Sequence, residues 1–286
     1  MSFGYQILGF GGGDSGLTYM DATGGTITED GDYKIHTFTS PGTFTVVAVG
    51  EDAVPATYRD QISYMVVAGG GASGSRCAGG GGGGGWRANK NDAGGDFTPE
   101  SPLAAPVASF TVSASPGSYP ITVGSGGPAP GSTGYYNGSP GGTSSAFSIT
   151  SAGGGGGGYN NGPVGTSGLT GGSGGGGGAA TSAGGSGPGN NPPTSPPQGN
   201  AGGAGSGTNA GSGGGAAGAG SATWPSTPGP GTPHGITGAE VTYSNGGNPS
   251  QPACEMGNGQ GPATPSGSRA GNNGGVIIRY RVAGKP

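Results

Sequence analysis

The feature that most constrains this chain is residues 151–180, where runs of glycine are interrupted by a short polar insert carrying Tyr159. Similar runs occur around residues 79–85 and 211–220. Glycine supplies 78 and proline 25 of the 286 residues, a content that is typical of low-complexity disorder when it lacks a strict period. Disordered chains are usually rich in charge, however, and only 8% of these residues are charged.

Two structures are open to such a neutral, glycine-rich region. Its backbone amides are satisfied either by water, which glycine's conformational entropy favours, or by the backbones of neighbouring glycine segments. The absence of a Gly-X-Y repeat excludes collagen. Polyproline II helices have three residues per turn and no internal hydrogen bonds, and only glycine lets such helices approach closely enough to pair. We therefore expect a packed polyglycine II bundle whose turns lie at Asn, Pro, Tyr and Trp.

The first half of the chain and its last residues carry the β-strand patterns. Asp30-Gly31 predicts a tight hairpin turn. Alternating or short apolar runs predict strands at residues 26–29, 32–39, 44–48, 62–68, 107–113, 119–123 and 146–150. No further strand is expected until residues 276–282, which must bury an apolar face against the earlier strands and place Arg279 and Arg281 on the solvent-exposed face.

These patterns predict an all-β and irregular fold, with antiparallel, sandwich-like sheets, a packed polyglycine II bundle and almost no α-helix. No segment shows a convincing helical period. The expected divisions are an N-terminal attachment segment at 1–23, a β-rich domain at 24–150, a glycine bundle with variable loops at 151–275 and a closing strand at 276–286.

Charge and hydropathy exclude several classes of function. The net charge of −4 and pI near 4.9 do not suit a nucleic-acid partner, which requires basic patches. The N-terminus lacks the basic and apolar regions of a signal peptide, and no run approaches the ~20 apolar residues of a membrane span. We expect that the chain does not insert into a membrane. We also expect that it is assembled in the cytoplasm of the expressing cell. Cys77 and Cys254 either form one bridge or are two free, buried residues.

No arrangement of residues predicts catalysis, and we expect a protein that is not an enzyme and uses no cofactor or metal. The glycines at residues 9–13 superficially match a dinucleotide fingerprint, but no strand-helix unit follows them. His36 lies on a predicted strand, and His234 lies in a predicted loop without nearby cysteine or carboxylate partners. A group of acidic residues near the N-terminus either holds a cation or forms solvated turns, and its spacing matches no calcium loop. Its members are Asp14, Asp21, Glu29, Asp30 and Asp32.

Aromatic and asparagine side chains in the inserts are the candidate receptor-binding residues. Flat rings beside polar groups suit sugar stacking and receptor contacts. The alternative is that the rings cover the ends of the glycine array, and that the asparagines only form turns. The candidates are Trp86, Tyr135, Tyr136, Tyr159, Asn160, Asn161, Trp224 and Tyr243.

The N-terminal segment is apolar and aromatic before it breaks into Gly-Gly-Gly-Asp. One interpretation is a first strand of the sheet. The other is an anchor that docks on another protein, because the segment precedes the start of the β pattern. Its apolar residues are Phe3, Tyr5, Ile7, Leu8 and Phe10.

Several segments, taken in order, resemble the glycine-rich domain found in phage tail and bacterial surface proteins. They are residues 31–44 (GDYKIHTFTSPGTF), 64–71 (YMVVAGGG), 121–127 (ITVGSGG), 145–150 (SAFSIT) and 274–280 (GGVIIRY). The glycine blocks and their variable inserts are also similar to the distal tail-fibre adhesin of T-even-like bacteriophages. In that family a polyglycine II bundle presents loops that bind the host surface. This chain differs in starting with a β domain and in lacking an obvious long fibre-binding domain.

The resemblance implies a virion structural protein of a tail fibre or tail tip that displays loops to a host receptor. It implies other tail proteins as partners through the N-terminus, and a host cell-surface glycan or outer-membrane protein as the receptor. A fibre component would be expected to form a homotrimer, whereas a tip adhesin can be monomeric. The alternatives are an ice-binding polyglycine II protein, a virion decoration or joint protein, and a cell-surface glycine-rich protein, which should carry a secretion signal.

Overall fold

The architecture was obtained from a computed structural model, which describes residues 16–75, 78–89, 97–99, 101, 103–104, 110–115, 117–131, 134–207, 209–222, 227–247 and 269–282. Its strands are β1 (Asp21–Thr23), β2 (Thr26–Asp30), β3 (Tyr33–Phe38), β4 (Gly42–Ala48), β5 (Gln61–Val67), β6 (Trp86–Ala88), β7 (Phe110–Thr111), β8 (Ser118–Ile121), β9 (Ser144–Ala146), β10 (Ile149–Ser151), β11 (Asn160–Asn161), β12 (Val164–Gly165), β13 (Thr232–His234), β14 (Val241–Tyr243) and β15 (Gly275–Arg281). In the described residues the only α-helix is α1 (Ala56–Arg59). The prediction of a nearly all-β fold is therefore confirmed.

Two antiparallel sheets share one core. The smaller has the order β1-β4-β8, and the larger has the order β2-β3-β15-β5-β6, with β7 also paired to β5. Phe44 and Val46 of the smaller sheet pack with Val276, Ile278 and Tyr280 of the larger sheet. Because side chains alternate along a strand, the neighbours of these residues on β15 point to the other face of the larger sheet.

The final strand, β15, lies in the interior of the larger sheet. It pairs with β3 from Val276↔Phe38 to Arg281↔Tyr33 and with β5 on its other side. The chain therefore leaves this sheet after β5, returns briefly at β6 and re-enters it at the end. Everything between these strands, including the glycine runs, is held at both ends by one sheet.

The second face of the larger sheet is also covered. Ile277 of β15 and Met65 of β5 pack with Trp86, Ile236 and Tyr243 in a second core. The β13–β14 hairpin supplies part of this cover. The central strands β15 and β5 of the larger sheet are therefore buried on both faces, whereas β2 at its edge is exposed.

The burial of this second face corrects the expected exposure of Arg279. Its side chain is 1% exposed, and its Nη2 atom lies 2.8 Å from Oδ2 of Asp30. The guanidinium group also lies over the ring of Tyr33, 4.3 Å from the ring centroid, and its Nη1 atom donates to the carbonyl oxygen of Ile236. The carboxylate of Asp30 and the ring of Tyr33 compensate the buried charge. The alternating pattern of the strand alone did not indicate that Arg279 is buried. Arg281 is largely buried as well and pairs with Asp32.

Other local predictions were wrong in detail. Residues 146–150 form a tight hairpin between β9 and β10, not one strand, and it turns at Phe147 and Ser148 with φ values of 52° and 64°. Non-glycine residues rarely adopt these values, so the residue types at positions 147 and 148 do not indicate a turn. The short strands β11 to β14 also lie in the region where no strand was expected.

The glycine-rich segments form an array in which each segment bonds to several others. From residue 69 to residue 75 the backbone N–H groups donate, in order, to the carbonyl oxygens of Gly142, Asn272, Gly82, Ser139, Arg269, Gly79 and Tyr136. The acceptors thus lie on three neighbouring segments, and every third N–H group donates to the same segment. From residue 173 to residue 178 the acceptors follow the same rule and are Gly83, Asn200, Leu169, Gly80, Gly203 and Thr166. Successive N–H groups of one segment therefore bond to three different neighbours in turn.

At most of its glycine positions, the interior of the array has no room for a side chain. Residues 151–158 and 171–180 are all buried. A methyl group on Gly175 would overlap the carbonyl oxygen of Gly156, and one on Gly156 would overlap that of Gly138. By contrast, a methyl group on Gly131 at the surface would meet nothing within 4 Å. Close approach of backbones therefore requires glycine in the interior.

Candidate functional site

The glycine runs connect two different ends of the molecule. At one end they join the sheets, because residues 68–75 follow β5, residues 79–85 precede β6 and residues 152–158 follow β10. This end, with its two sheets, is hereafter the β end. At the other end the runs reverse in turns at residues 134–137, 159–166, 179–183 and 206–207, which together are hereafter the tip.

Hydrogen bonds join neighbouring turns of the tip. Gly165 donates to the carbonyl oxygen of Ser182 at 2.8 Å, and Ser182 donates to that of Pro163 at 2.8 Å. At the base of the next turn, Gly205 donates to Gly184 at 2.8 Å. The inserts that are far apart in sequence therefore form one continuous surface.

The described chain starts at the β end. The N–H group of Glu51 donates to the carbonyl oxygen of Thr18 at 2.9 Å, and Thr18 N–H donates to Oε1 of Glu51 at 3.1 Å. Met20 is 2% exposed and belongs to the core between the sheets. The first described residues therefore lie at the end opposite the tip. The five proposed anchor residues lie outside the described residues.

Tyr135 and Tyr136 sit in the first turn of the tip, and their backbone is fixed by a buried serine. The hydroxyl of Ser75 accepts a hydrogen bond from Tyr136 N–H at 2.8 Å and donates to the carbonyl oxygen of Gly134 at 2.7 Å. Ser75 is 2% exposed, whereas the two tyrosines are 46% and 55% exposed. A buried anchor thus holds two exposed rings.

Tyr159 lies beside this turn, although it belongs to the next insert. Its N–H group donates to Oγ1 of Thr166 at 2.7 Å, and that hydroxyl donates to Oδ1 of Asn137 at 2.7 Å. The ring centroids of Tyr135 and Tyr159 are 6.2 Å apart, with an angle of 46° between the rings. Two inserts are therefore locked together and place two rings side by side.

The remaining candidates of the inserts have separate positions. Asn160 and Asn161 form β11, which pairs with Val164 and Gly165 in a small hairpin at the tip. Asn160 is half-buried and Asn161 is exposed. Trp224 lies outside the described residues.

Trp86 and Tyr243 are not at the tip, which corrects their expected role as loop residues. Trp86 is 1% exposed on β6, and Tyr243 is 2% exposed on β14. Both belong to the second core of the larger sheet. A receptor cannot reach these rings in this fold, and we remove them from the binding candidates. The alternation of Val241 and Tyr243 was the sequence signal for a strand at this position.

The two histidines are structural parts of the β end. His36 is buried, and its ring nitrogens contact the carbonyl oxygen of Gly24 at 2.7 Å and the hydroxyl of Tyr280 at 3.2 Å. His234 is buried between the rings of Trp86 and Phe97, at centroid distances of 5.4 and 4.9 Å. Neither ring nitrogen of His234 has a hydrogen-bond partner among the described residues. Burial lowers the pKa of His234 to about 4.

Three members of the acidic group near the N-terminus form ion pairs, and Glu29 is exposed on β2. Asp21 lies 3.0 Å from Lys34, and Asp30 and Asp32 pair with the arginines of β15. In the described part of the chain, no group of three or more His, Cys, Asp or Glu residues has an arrangement suited to a metal ion. Asp14 lies outside that part.

Within the described ranges, no helix has the length and apolar character needed to cross a membrane.

Comparison with known families places the chain in a glycine-rich family. A family described as a glycine-rich domain matches residues 39–281, from the turn before β4 to the end of β15. This chain belongs to the glycine-rich domain family. The match includes the strands β4 to β15 and the array together, and it confirms the glycine-rich domain expected from the sequence. Comparison with curated proteins gives no match.

Proposed function

We propose that this protein is a bacteriophage virion structural protein, a tail-fibre or tail-tip component whose tip binds a host-surface receptor. The observation that carries the proposal is the opposition of its two ends. The first described residues lie at the β end, where Thr18 bonds to Glu51, while exposed tyrosines are presented at the tip. Such a molecule can be attached by one end and can contact a second partner with the other.

We further propose that the array is a polyglycine II bundle acting as a rigid spacer. The three-residue period of its hydrogen-bond acceptors and the burial of residues 151–158 support this interpretation. At the rise of a polyproline II helix, seven residues span about 20 Å. The array would thus hold the tip at a fixed distance from the β end, without the variable reach of a Gly-Ser linker.

The assignment to a phage rests on the resemblance of the ordered β segments and glycine blocks to phage tail proteins. Under this proposal the N-terminal segment contacts other tail proteins, the receptor is a glycan or an outer-membrane protein, and a fibre arrangement would involve three copies. The protein would be located on the virion. The unequal turns at the tip favour receptor recognition over an ice-binding face, which requires regular spacing.

Two measurements test the proposal. Gold-labelled antibodies against the chain should mark the tail fibre or tail tip in electron micrographs of the virion. The purified chain should bind host cells and reduce phage adsorption. Absence from the virion would overturn the proposal. Labelling of the virion without binding to cells would instead support the decoration or joint alternative.

A further inference from the structure

We infer that the tip binds an uncharged glycan by stacking two consecutive sugar units on Tyr135 and Tyr159. This inference rests on the proposed receptor-binding function and names the ligand class of that site. Its basis is the position of the rings, the rigidity of the backbone beneath them and the chemistry of the surrounding residues.

The two rings are placed for neighbouring sugars, not for one sugar held between them. Their centroids are 6.2 Å apart and the rings are inclined by 46°, so no flat ligand fits into the space between them. The separation is comparable with the repeat of linked pyranose units along a glycan. Tyr135 is 46% exposed and Tyr159 is half-buried, so both rings have surface that a ligand can reach.

The rings are held before a ligand arrives. Thr166 bonds through its hydroxyl to both Tyr159 and Asn137, and thereby joins the two inserts. The carbonyl oxygen of Tyr159 also accepts a hydrogen bond from Thr166 N–H at 2.9 Å. Binding therefore requires little ordering of the backbone, which preserves affinity for a small ligand.

The chemistry around the rings favours an uncharged, hydroxyl-rich ligand over an ionic one. The described residues of the tip contain no Asp, Glu, Lys, Arg or His. Their polar groups are the hydroxyls and amides of serine, threonine and asparagine, which form adaptable hydrogen bonds beside rigid tyrosines. Val164 and Tyr136 are the large exposed apolar side chains nearby.

The first test measures binding of the purified full chain to a panel of bacterial surface mono- and oligosaccharides, both neutral and acidic. Neutral disaccharides and longer chains should bind at least about tenfold more tightly than their monosaccharides, because they use both rings. Binding should change little with salt, since no charge pair is involved. Preference for acidic sugars, or equal affinity for mono- and disaccharides, would overturn the inference.

Variants distinguish the contribution of the tyrosine rings to binding from an effect on folding. Tyr135→Ala and Tyr159→Ala should each weaken disaccharide binding about tenfold, whereas Tyr19→Ala, the matched change at the β end, should have no effect. Thr166→Val should weaken binding with both rings still present, and Thr166→Ser should restore it. Thermal unfolding of each variant is the control for folding. Unchanged binding in both folded tyrosine variants would contradict the inference.

A cell experiment distinguishes failure of this inference from failure of the proposed function. Host cells treated with periodate, which oxidises sugar diols, should lose binding of the chain, and protease-treated cells should retain it. The opposite result would leave receptor binding in place and overturn the glycan as its ligand. If the chain does not bind untreated cells, the proposed function itself is contradicted. The binding of purified mono- and oligosaccharides would then decide the inference alone.

Discussion

The β end and the glycine array both bury backbone amide and carbonyl groups, but they do so by different means. In the β end, ladders pair the backbone and large side chains such as Phe44 and Ile278 fill the core. In the array, backbones pack directly on one another, and a side chain on Gly175 would overlap a neighbouring carbonyl group. The β end should therefore be sensitive to lost volume, and the array should be sensitive to added volume.

The largest effect on the free energy of unfolding is expected for Phe44→Ala in the β end. Phe44 is fully buried, and its ring packs against His36, Tyr119, Phe147 and Tyr280. Removal of the ring should lower the free energy of unfolding by about 4 kcal/mol because it leaves a cavity. Urea denaturation of the variant and the wild type measures this difference. A loss below about 1 kcal/mol would show that this region is not a packed core.

The second-largest effect on the free energy of unfolding is expected for Gly175→Ala in the array. The added methyl group must displace the backbone at Gly156, which should cost about 3 kcal/mol. Gly131→Ala is the matched control, because its methyl group meets nothing and alanine reduces the entropy of the unfolded chain. The control should be unchanged or more stable by less than about 1 kcal/mol. Equal stability of the two variants would contradict direct backbone packing.

A pH-dependent effect is expected at His234, where the array meets the second core. Its pKa is about 4 in the folded chain and 6.5 when unperturbed, so the unfolded chain binds the proton more tightly. The contribution of His234 to stability is therefore complete well above pH 6.5 and falls by about 3 kcal/mol as the pH drops toward 4. His234→Phe should remove this part of the acid sensitivity. Parallel loss of stability in the variant and the wild type would exclude His234 as its source.

The smallest effect on stability is expected for Tyr136→Ala at the tip. The side chain is 55% exposed, and the backbone of residue 136 makes the contacts with Ser75. The free energy of unfolding should change by less than about 0.5 kcal/mol. Calorimetry would detect a larger change, which would mean that the ring covers the array and is not a display residue.

Much of the β end could be predicted because its signals are local. The Asp30-Gly31 turn and the strands around Phe44 and Val276 follow from turn residues and alternation. Arg279 could not be placed from its own strand, since its burial depends on Asp30 and Tyr33, which are distant in sequence. The turn at Phe147 and Ser148 uses backbone angles that their residue types do not indicate.

The array could be anticipated only in outline. Scarce charge and the returning strand β15 argued for order, and glycine's lack of a side chain argued for close packing. The neighbours of each segment could not be predicted, because one glycine run is chemically identical to the next. The contact between Tyr135 and Tyr159 depends on that arrangement. For the same reason, the sequence did not separate the tip residues from Trp86 and Tyr243, which the fold buries at the β end.

Amide hydrogen exchange of the full chain, followed by NMR, tests the ordered glycine array most directly. The amides of Gly155, Gly158 and Gly176 donate to carbonyl oxygens at 2.8 Å in buried segments. They should exchange as slowly as the amides of β15, because both require cooperative opening of the fold. Exchange of these glycine amides at the rate of an unfolded chain, with β15 still protected, would contradict a packed array.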